Sequence, residues 1–450
     1  MKKLTAFLLA ILFTASIFAQ LPKETPENKE QRMKWWTDAR FGMFIHWGLY
    51  SMPARHEWVR NFEKIKDEDY QKYFDLYNPD LFQPKEWARM AKEAGMKYFV
   101  ITAKHHEGFC NWDSKYTDFK ITNTPFKRDA LKEIIEAMRA EGIKVGIYYS
   151  LLDWHNPNFT IDPIHPLYSY YKKEKRDSIN STRDMAKYRQ YMKNQLTELM
   201  TNYGEISILW LDFSYNEKGH NEWGSEDLLK TVRKLQPNIL VNDRLDIKDV
   251  EGGWDFTTPE QYVPVKWPEV NGKSVPWESC QTFSGSWGYH RDENTWKSPQ
   301  QLITMLIENV SKGGNLILNV GPTSRGCFDY RAQERLKAMG EWMKFNGRSI
   351  YGCTQAPDEF KCPANCLYTY NPATKCLYLH LLTYPLGEIS LEGMAGKVKY
   401  AQFLHDGSEI LFHGKEKYGM QEDGSKDNLQ LSLPTLKPNT EIPVIELMLK

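Results

Sequence analysis

The sequence predicts an α/β fold, an irregular (β/α)8-like barrel followed by a C-terminal antiparallel β-sandwich. Three observations carry this expectation. Short β-rich runs alternate with amphipathic helical stretches through most of the chain; eight such runs can be counted; and after about Thr354 helical periodicity gives way to short strands separated by Gly, Pro and Asn turns.

In order, the strand candidates are GMFIHWG, KYFVITAKHH, KVGIYYSLL, ISILWLDF, NILVNDR, WDFTT, PWESCQ and GNLILNVGP. The fourth sets the question. Ile206, Ile208, Leu209, Trp210 and Leu211 run without period-two alternation, the pattern of a strand covered on both faces, and the run ends on Asp212. An ionised acid inside such a strand is costly. At the carboxyl end of a barrel strand it instead faces the rim where these folds hold their chemistry. Between the strands lie PKEWARMAKEAG, with Pro near its start and Gly at its end, then RDALKEIIEAMRAEGI, STRDMAKYRQYMKNQLTELMTNYG and SPQQLITMLIENVSKGG, all helical in period. From Asn238 to Gln281 the strands are short and no good helix separates NDR from WDFTT, so some barrel helices are expected to be missing. The helix DYRAQERLKAMGEWMKFNGRSIYG closes the barrel, residues 20–353. CLYTYNP, KCLYLHLLTYP, EISLEG, VKYAQFLHDG and LQLSLP then read as a sandwich over residues 354–450.

Ahead of the barrel, Lys2 and Lys3, the apolar LTAFLLAILFTASIFA and the polar QLPKETPENKEQR form the three-part layout of a signal peptide over residues 1–19, with cleavage expected after Ala19. The run is short for a membrane span, so the expectation is an exported protein, periplasmic or secreted, with no stable membrane insertion after cleavage; an uncleaved anchor is the competing reading. Lys plus Arg and Asp plus Glu each total 58, which gives no pull toward nucleic acid or acidic lipid and favours a neutral partner. The 15 Trp and 25 Tyr supply the aromatic faces on which sugar rings stack. Of seven cysteines, Cys353, Cys362, Cys366 and Cys376 fall in one short segment, where an oxidising compartment would allow one or two disulfides, in a pairing that spacing does not decide. The Cys362-x-x-x-Cys366 spacing lacks the paired knuckles of a structural zinc site.

Polar residues gather around the expected strand ends: His46, His105, His106, Tyr149, Asp212, Arg244 and Glu260, with Glu278 inside PWESC. A single histidine near a strand end is more often structural than catalytic; convergence of so many groups on one rim favours function. Two carboxylates, one on a strand and one on a neighbouring loop, are the equipment for glycoside hydrolysis through an oxocarbenium-like transition state, which needs no metal or organic cofactor. Two other readings stay open. One is a metal-dependent hydrolase with His46, His105, His106 and Asp212 as ligands, which requires the adjacent His105 and His106 to aim at one ion across a bulge or strand end. The other is a sugar-binding protein with the same pocket and little turnover.

At these residues the chain resembles the α-L-fucosidases of glycoside hydrolase family 29. The resemblance runs from about Trp35 to Tyr351 through RFGMFIHWGLYS, EWV, TAKHHEGFCNWDS, GIYYSLLDW, LWLDF, VNDR, WDFTTPEQ, SWGYHRDE and SKGGNLILNVGP. It implies a retaining mechanism, an irregular barrel with a C-terminal β-sandwich, and a fucosylated glycan or glycoconjugate as substrate. Carried over by position, it makes Asp212 the nucleophile. It places His46, His105, His106, Tyr149 (the second tyrosine of YYS), Trp210 and Arg244 in the fucose pocket, with Glu57 and Trp58 beside them and Trp287 over the methyl side. Glu260 is the implied acid/base and Glu278 its rival.

Overall fold

The computed structural model describes residues 24–213, 219–414 and 427–450, so the expected signal peptide lies outside the described residues. Seven parallel strands form one sheet: β1 (Phe41–Ile45), β2 (Tyr98–Lys104), β3 (Lys144–Ser150), β4 (Ile208–Asp212), β5 (Leu240–Val241), β6 (Glu278–Thr282) and β7 (Asn315–Val320). Their order is β5-β4-β3-β2-β1-β7-β6. The gap between β5 and β6 is spanned by the WDFTT segment, which forms isolated parallel bridges, Asn242 to Phe256 and Thr257 to Trp277, rather than a full strand. The result is an irregular (β/α)8-like barrel.

Alternation within each strand builds two apolar layers. Phe44, Tyr98, Val100, Tyr148, Ile208, Trp210, Leu240, Phe256, Cys280 and Ile317 pack together inside the barrel. Their neighbours Met43, Ile45, Phe99, Ile101, Ile147, Leu209, Leu211 and Val241 pack outward among the helices. Covering on both faces is why the strand sequences read as near-continuous apolar runs. Helices Pro84–Glu93, Ala130–Ala140, Met185–Asn202, Pro299–Ser311 and Tyr330–Asn346 stand where the periodicity predicts them. Their starts are chemical: Asp129 and Asp184 accept backbone N–H groups of their first turns, and Ser298 forms a reciprocal capping box with Gln301. No helix forms between residues 242 and 277, as the weak middle of the sequence leads one to expect.

The C-terminal strands make a four-stranded antiparallel sheet (Cys366–Asn371, Cys376–Leu381, Val444–Leu449, Val398–Phe403) and a three-stranded one (Glu388–Leu391, Leu429–Ser432, Phe412–His413). They share an apolar core that includes Leu377, Leu379, Leu391, Leu431, Ile445 and Leu447. The sandwich is tied to the last barrel helix, where Trp342 Nε1 donates to the Ile442 carbonyl at 2.8 Å, and to the segment after it, where Arg348 pairs with Glu446 at 2.7 Å. All seven cysteines are free, including the four of the short segment where disulfides were allowed. Antiparallel register gives one reason, since Cys366 stands opposite Leu381 and Cys376 opposite Asn371, at the two ends of one hairpin. Among the described residues no helix is long and apolar enough to cross a membrane.

Candidate active site

The site is built from the carboxyl end of β4. There β3 and β4 are in register with Tyr148 beside Trp210 and Ser150 beside Asp212. Because β5 stops at Val241, the Asn242 side chain continues the ladder, accepting from Leu211 N at 2.9 Å and donating to Leu211 O at 2.8 Å. That amide pins the backbone one residue ahead of Asp212. Phe213 follows in the left-handed region, φ 72°, and donates its N–H to Asp212 Oδ1 at 2.9 Å.

Asp212 is buried and well supplied with donors. Tyr148 gives its hydroxyl hydrogen to Oδ2 at 2.7 Å, Arg244 Nη1 donates to Oδ1 at 2.7 Å, and His106 Nε2 lies 3.9 Å from Oδ2. Burial alone raises its pKa, but Arg244, His106 and Tyr148 together outweigh it and hold the carboxyl below the usual range, so it is ionised at neutral pH. The same guanidinium reaches a second acid: Arg244 Nη2 donates to Glu260 Oε2 at 2.7 Å while Nε donates to Thr258 Oγ1 at 2.9 Å and the plane covers the Trp210 ring at 4.5 Å. Glu260 follows Pro259 on the segment bridging to β6 and is 43% exposed, at the mouth of the barrel.

Glu278 is elsewhere. It is the first residue of β6, at the amino end of the strands, where its Oε2 accepts from Tyr98 Oη at 2.6 Å and from Trp36 Nε1 at 3.3 Å. Tyr98 opens β2, and Trp36 belongs to helix Pro26–Ala39, which closes the barrel floor. Burial, against the pull of the Tyr98, Trp36 and Trp210 donors, pushes its pKa up to about 7.

The histidines converge on the rim. His46 follows β1, and its Nδ1 lies 2.6 Å from Asn319 Oδ1. His105 and His106 follow β2, past a register shift between Thr102 and Lys104, so the two rings turn to the same side with centroids 4.0 Å apart. His106 Nδ1 meets Ser150 Oγ at 2.6 Å, and His105 Nδ1 is buried without a hydrogen-bond partner. Burial lowers the pKa of His46 to about 3 and of His106 to about 4, and holds that of His105 well below the usual imidazole range, so the site presents neutral imidazoles. Among the described residues no group of three His, Cys, Asp or Glu side chains is placed to hold an ion.

Glu57 accepts the backbone N–H groups of Trp287 and Gly288 at Oε2, at 3.1 and 2.8 Å. Its buried Oε1 has no donor: His56 Nδ1 is 3.2 Å away but already accepts from Trp58 N. Burial pushes the Glu57 pKa up to about 7 against those N–H groups. Trp58 sets its ring edge-on to His106 at 5.1 Å, and Trp287 leans on His46 at 5.2 Å. These aromatic rings wall the pocket.

One expected member is displaced. Tyr149 points out of the barrel, donating to Gln195 Oε1 at 2.8 Å on helix Met185–Asn202 under a Lys104 ammonium 4.3 Å from its ring. Its neighbour Tyr148 takes the interior position. The physical reason is alternation: only the β3 residue level with Trp210 shares its face. Tyr148, Ser150, Thr258 and Asn319 are site residues that sequence reasoning missed. Trp210 and Asp212 fix the inward phase of β4, but that of β3 follows only once its register with β4 is known.

An ionised, buried carboxylate, a second acid at the mouth, one cation between them and a neutral aromatic wall together suit attack at an acetal carbon. Comparison with known proteins points the same way. A sequence model described as alpha-L-fucosidase matches residues 14–348. The plasma alpha-L-fucosidase of Rattus norvegicus is 31% identical over 418 residues, covering 85% of this chain and 83% of its own. Alpha-L-fucosidase isoenzyme 1 from Paenibacillus thiaminolyticus superposes with a TM-score of 0.87 at 43% identity, over 94% of this chain and 99% of that one. An alpha-L-fucosidase from Bacteroides thetaiotaomicron, solved as a mutant holding a trapped covalent intermediate with 2-fluoro-fucosyl fluoride, superposes at 0.80 with 30% identity, over 93% of this chain and 96% of that one. The chain therefore belongs to the alpha-L-fucosidases of glycoside hydrolase family 29.

Proposed function

We propose that the protein is an exported, retaining alpha-L-fucosidase that removes terminal α-L-fucose from glycans, with Asp212 as nucleophile and Glu260 as acid/base. The observation that carries the assignment is the single Arg244 guanidinium, which holds both carboxylates at 2.7 Å each. In the first step an Asp212 oxygen bonds to the anomeric carbon as the bond to the glycosidic oxygen breaks and Glu260 protonates that oxygen. In the second, Glu260 takes a proton from water, whose oxygen displaces Asp212 and restores the starting configuration. The covalent intermediate trapped in the Bacteroides relative supports this route. Substrate must displace the Arg244 contact from Glu260, and the exposed position of that side chain leaves it room to turn toward the leaving group.

Glu278 does not serve as the acid, because it lies among the floor residues Tyr98 and Trp36. His46, His105 and His106, with the free Oε1 of Glu57, meet the sugar hydroxyls, and Trp58, Trp210 and Trp287 meet its apolar surface. Export rests on the leader over residues 1–19 and is checked by mass spectrometry of the mature amino terminus, expected at Gln20. The functional test is hydrolysis of a chromogenic α-L-fucoside beside α- and β-galactoside controls, with the first-formed anomer followed by NMR. α-L-Fucose is the expected first product; the β-anomer, or preference for a galactoside, overturns the reading.

A further inference from the structure

Asn319, on β7 level with Phe44 of β1, is 2% exposed, and both ends of its amide are committed. Nδ2 donates to the backbone carbonyl of Trp287 at 2.6 Å, and Oδ1 sits 2.6 Å from His46 Nδ1. The Trp287 carbonyl can only accept, so it forces the NH2 end of the amide toward itself; the reverse orientation would set two acceptor oxygens face to face. The end facing His46 is therefore the carbonyl oxygen, which also can only accept. His46 Nδ1 must carry the hydrogen, and a neutral imidazole protonated at Nδ1 leaves Nε2 as an acceptor. No described protein group bonds to that Nε2.

We propose that Asn319 is a positioning residue that reads the Trp287 carbonyl and sets His46 as the Nδ1–H tautomer, so that His46 meets a sugar hydroxyl as an acceptor only when the Trp287 segment is in place. The inference deepens the proposed function and rests on it for the identity of the hydroxyl donor. Glu57 grips the same segment from the other side, through the backbone N–H groups of Trp287 and Gly288. Facing His46 are the rings of Phe44, His105, Tyr148 and Trp287, and the charged or titratable groups within electrostatic reach are Asp212, His106 and His56. Burial dominates these and keeps His46 neutral, so the amide selects a tautomer and not a charge.

The test uses the whole protein labelled with 15N-histidine. Long-range proton–nitrogen spectra report which ring nitrogen is protonated, and His46→Gln identifies the His46 signals by their loss. The wild-type His46 is expected to show a protonated Nδ1 and a bare Nε2. An Nε2–H tautomer in the wild type overturns the proposal whatever the activity, and this measurement does not depend on any Asn319 variant folding or on the fucosidase reading. Asn319→Ala is expected to lose the single tautomer and to lower kcat/KM on the chromogenic α-L-fucoside about ten- to a hundredfold, the scale on which removing one partner of a buried hydrogen bond acts. Asn319→Asp keeps an acceptor at Nδ1, so it should preserve the tautomer while raising the His46 pKa and moving the acidic limb of kcat/KM upward. An unchanged tautomer and unchanged kcat/KM in Asn319→Ala would contradict the proposal. Absence of fucosidase activity in a wild type with the expected tautomer would instead count against the functional reading alone.

Discussion

Asp212 and Glu278 are both buried carboxylates inside one barrel, and their surroundings drive them in opposite directions. At the rim, Asp212 has a guanidinium at 2.7 Å and a tyrosine hydroxyl at 2.7 Å, and it is held below the usual carboxylate range. At the floor, Glu278 has a tyrosine hydroxyl at 2.6 Å and an indole at 3.3 Å but no cation, and it rises to about 7. At Glu278 the donors do not outweigh burial, whereas at Asp212 the Arg244 guanidinium tips the balance.

The contrast breaks most severely at the rim. Asp212→Ala should reduce kcat by about 10⁴–10⁶-fold, the scale on which loss of a nucleophile acts, while circular dichroism shows the fold retained. Glu260→Ala should cost about 10²–10⁴-fold on fucosides with poor leaving groups and far less on those that depart without a proton. If Glu278→Ala showed that leaving-group dependence and Glu260→Ala did not, the two ends of the barrel would exchange roles. Tyr148→Phe removes a charge-assisted donor from Asp212 and should lower kcat/KM about ten- to a hundredfold, with the acidic limb of its pH profile moved upward because the carboxyl gains a proton more readily. Tyr149→Phe should leave kcat/KM unchanged and cost about 1–3 kcal/mol of stability through the unpaired Gln195 oxygen, read by denaturant titration.

The smallest effect belongs to the floor. A buried acid raised from 4.5 to about 7 holds its proton in the folded state after the unfolded chain has lost it, so stability falls as pH rises through that window and levels off above it. Glu57 and Glu107, also raised to about 7, act in the same window. Glu278→Gln should therefore show a shallower fall in Tm between pH 4.5 and 7 than the wild type, with kcat/KM unchanged.

Most of the barrel was legible because two-sided burial writes itself as apolar runs, and the rim was legible because polar residues interrupt those runs at their ends. What escaped required knowledge of neighbours. The family resemblance puts Tyr149 in the pocket, whereas Tyr148 takes the inward place, because a strand's inward phase depends on its register with β4. His105 and His106 share a side only because the register of β2 shifts near its end. WDFTT makes bridges instead of a strand, since bridging depends on what β5 and β6 leave unpaired. Cys366 and Cys376 are close in sequence, but the antiparallel register sets them at opposite ends of one hairpin, and both are free. For Glu278 the sequence does hold a signal: it begins its strand, and barrel chemistry sits where strands finish.

The most direct test is covalent trapping. The protein incubated with 2-fluoro-fucosyl fluoride, digested and sequenced by tandem mass spectrometry, should carry one fluorofucosyl group on Asp212. A label on Glu260 or Glu57, or inactivation with no covalent adduct, would contradict the account.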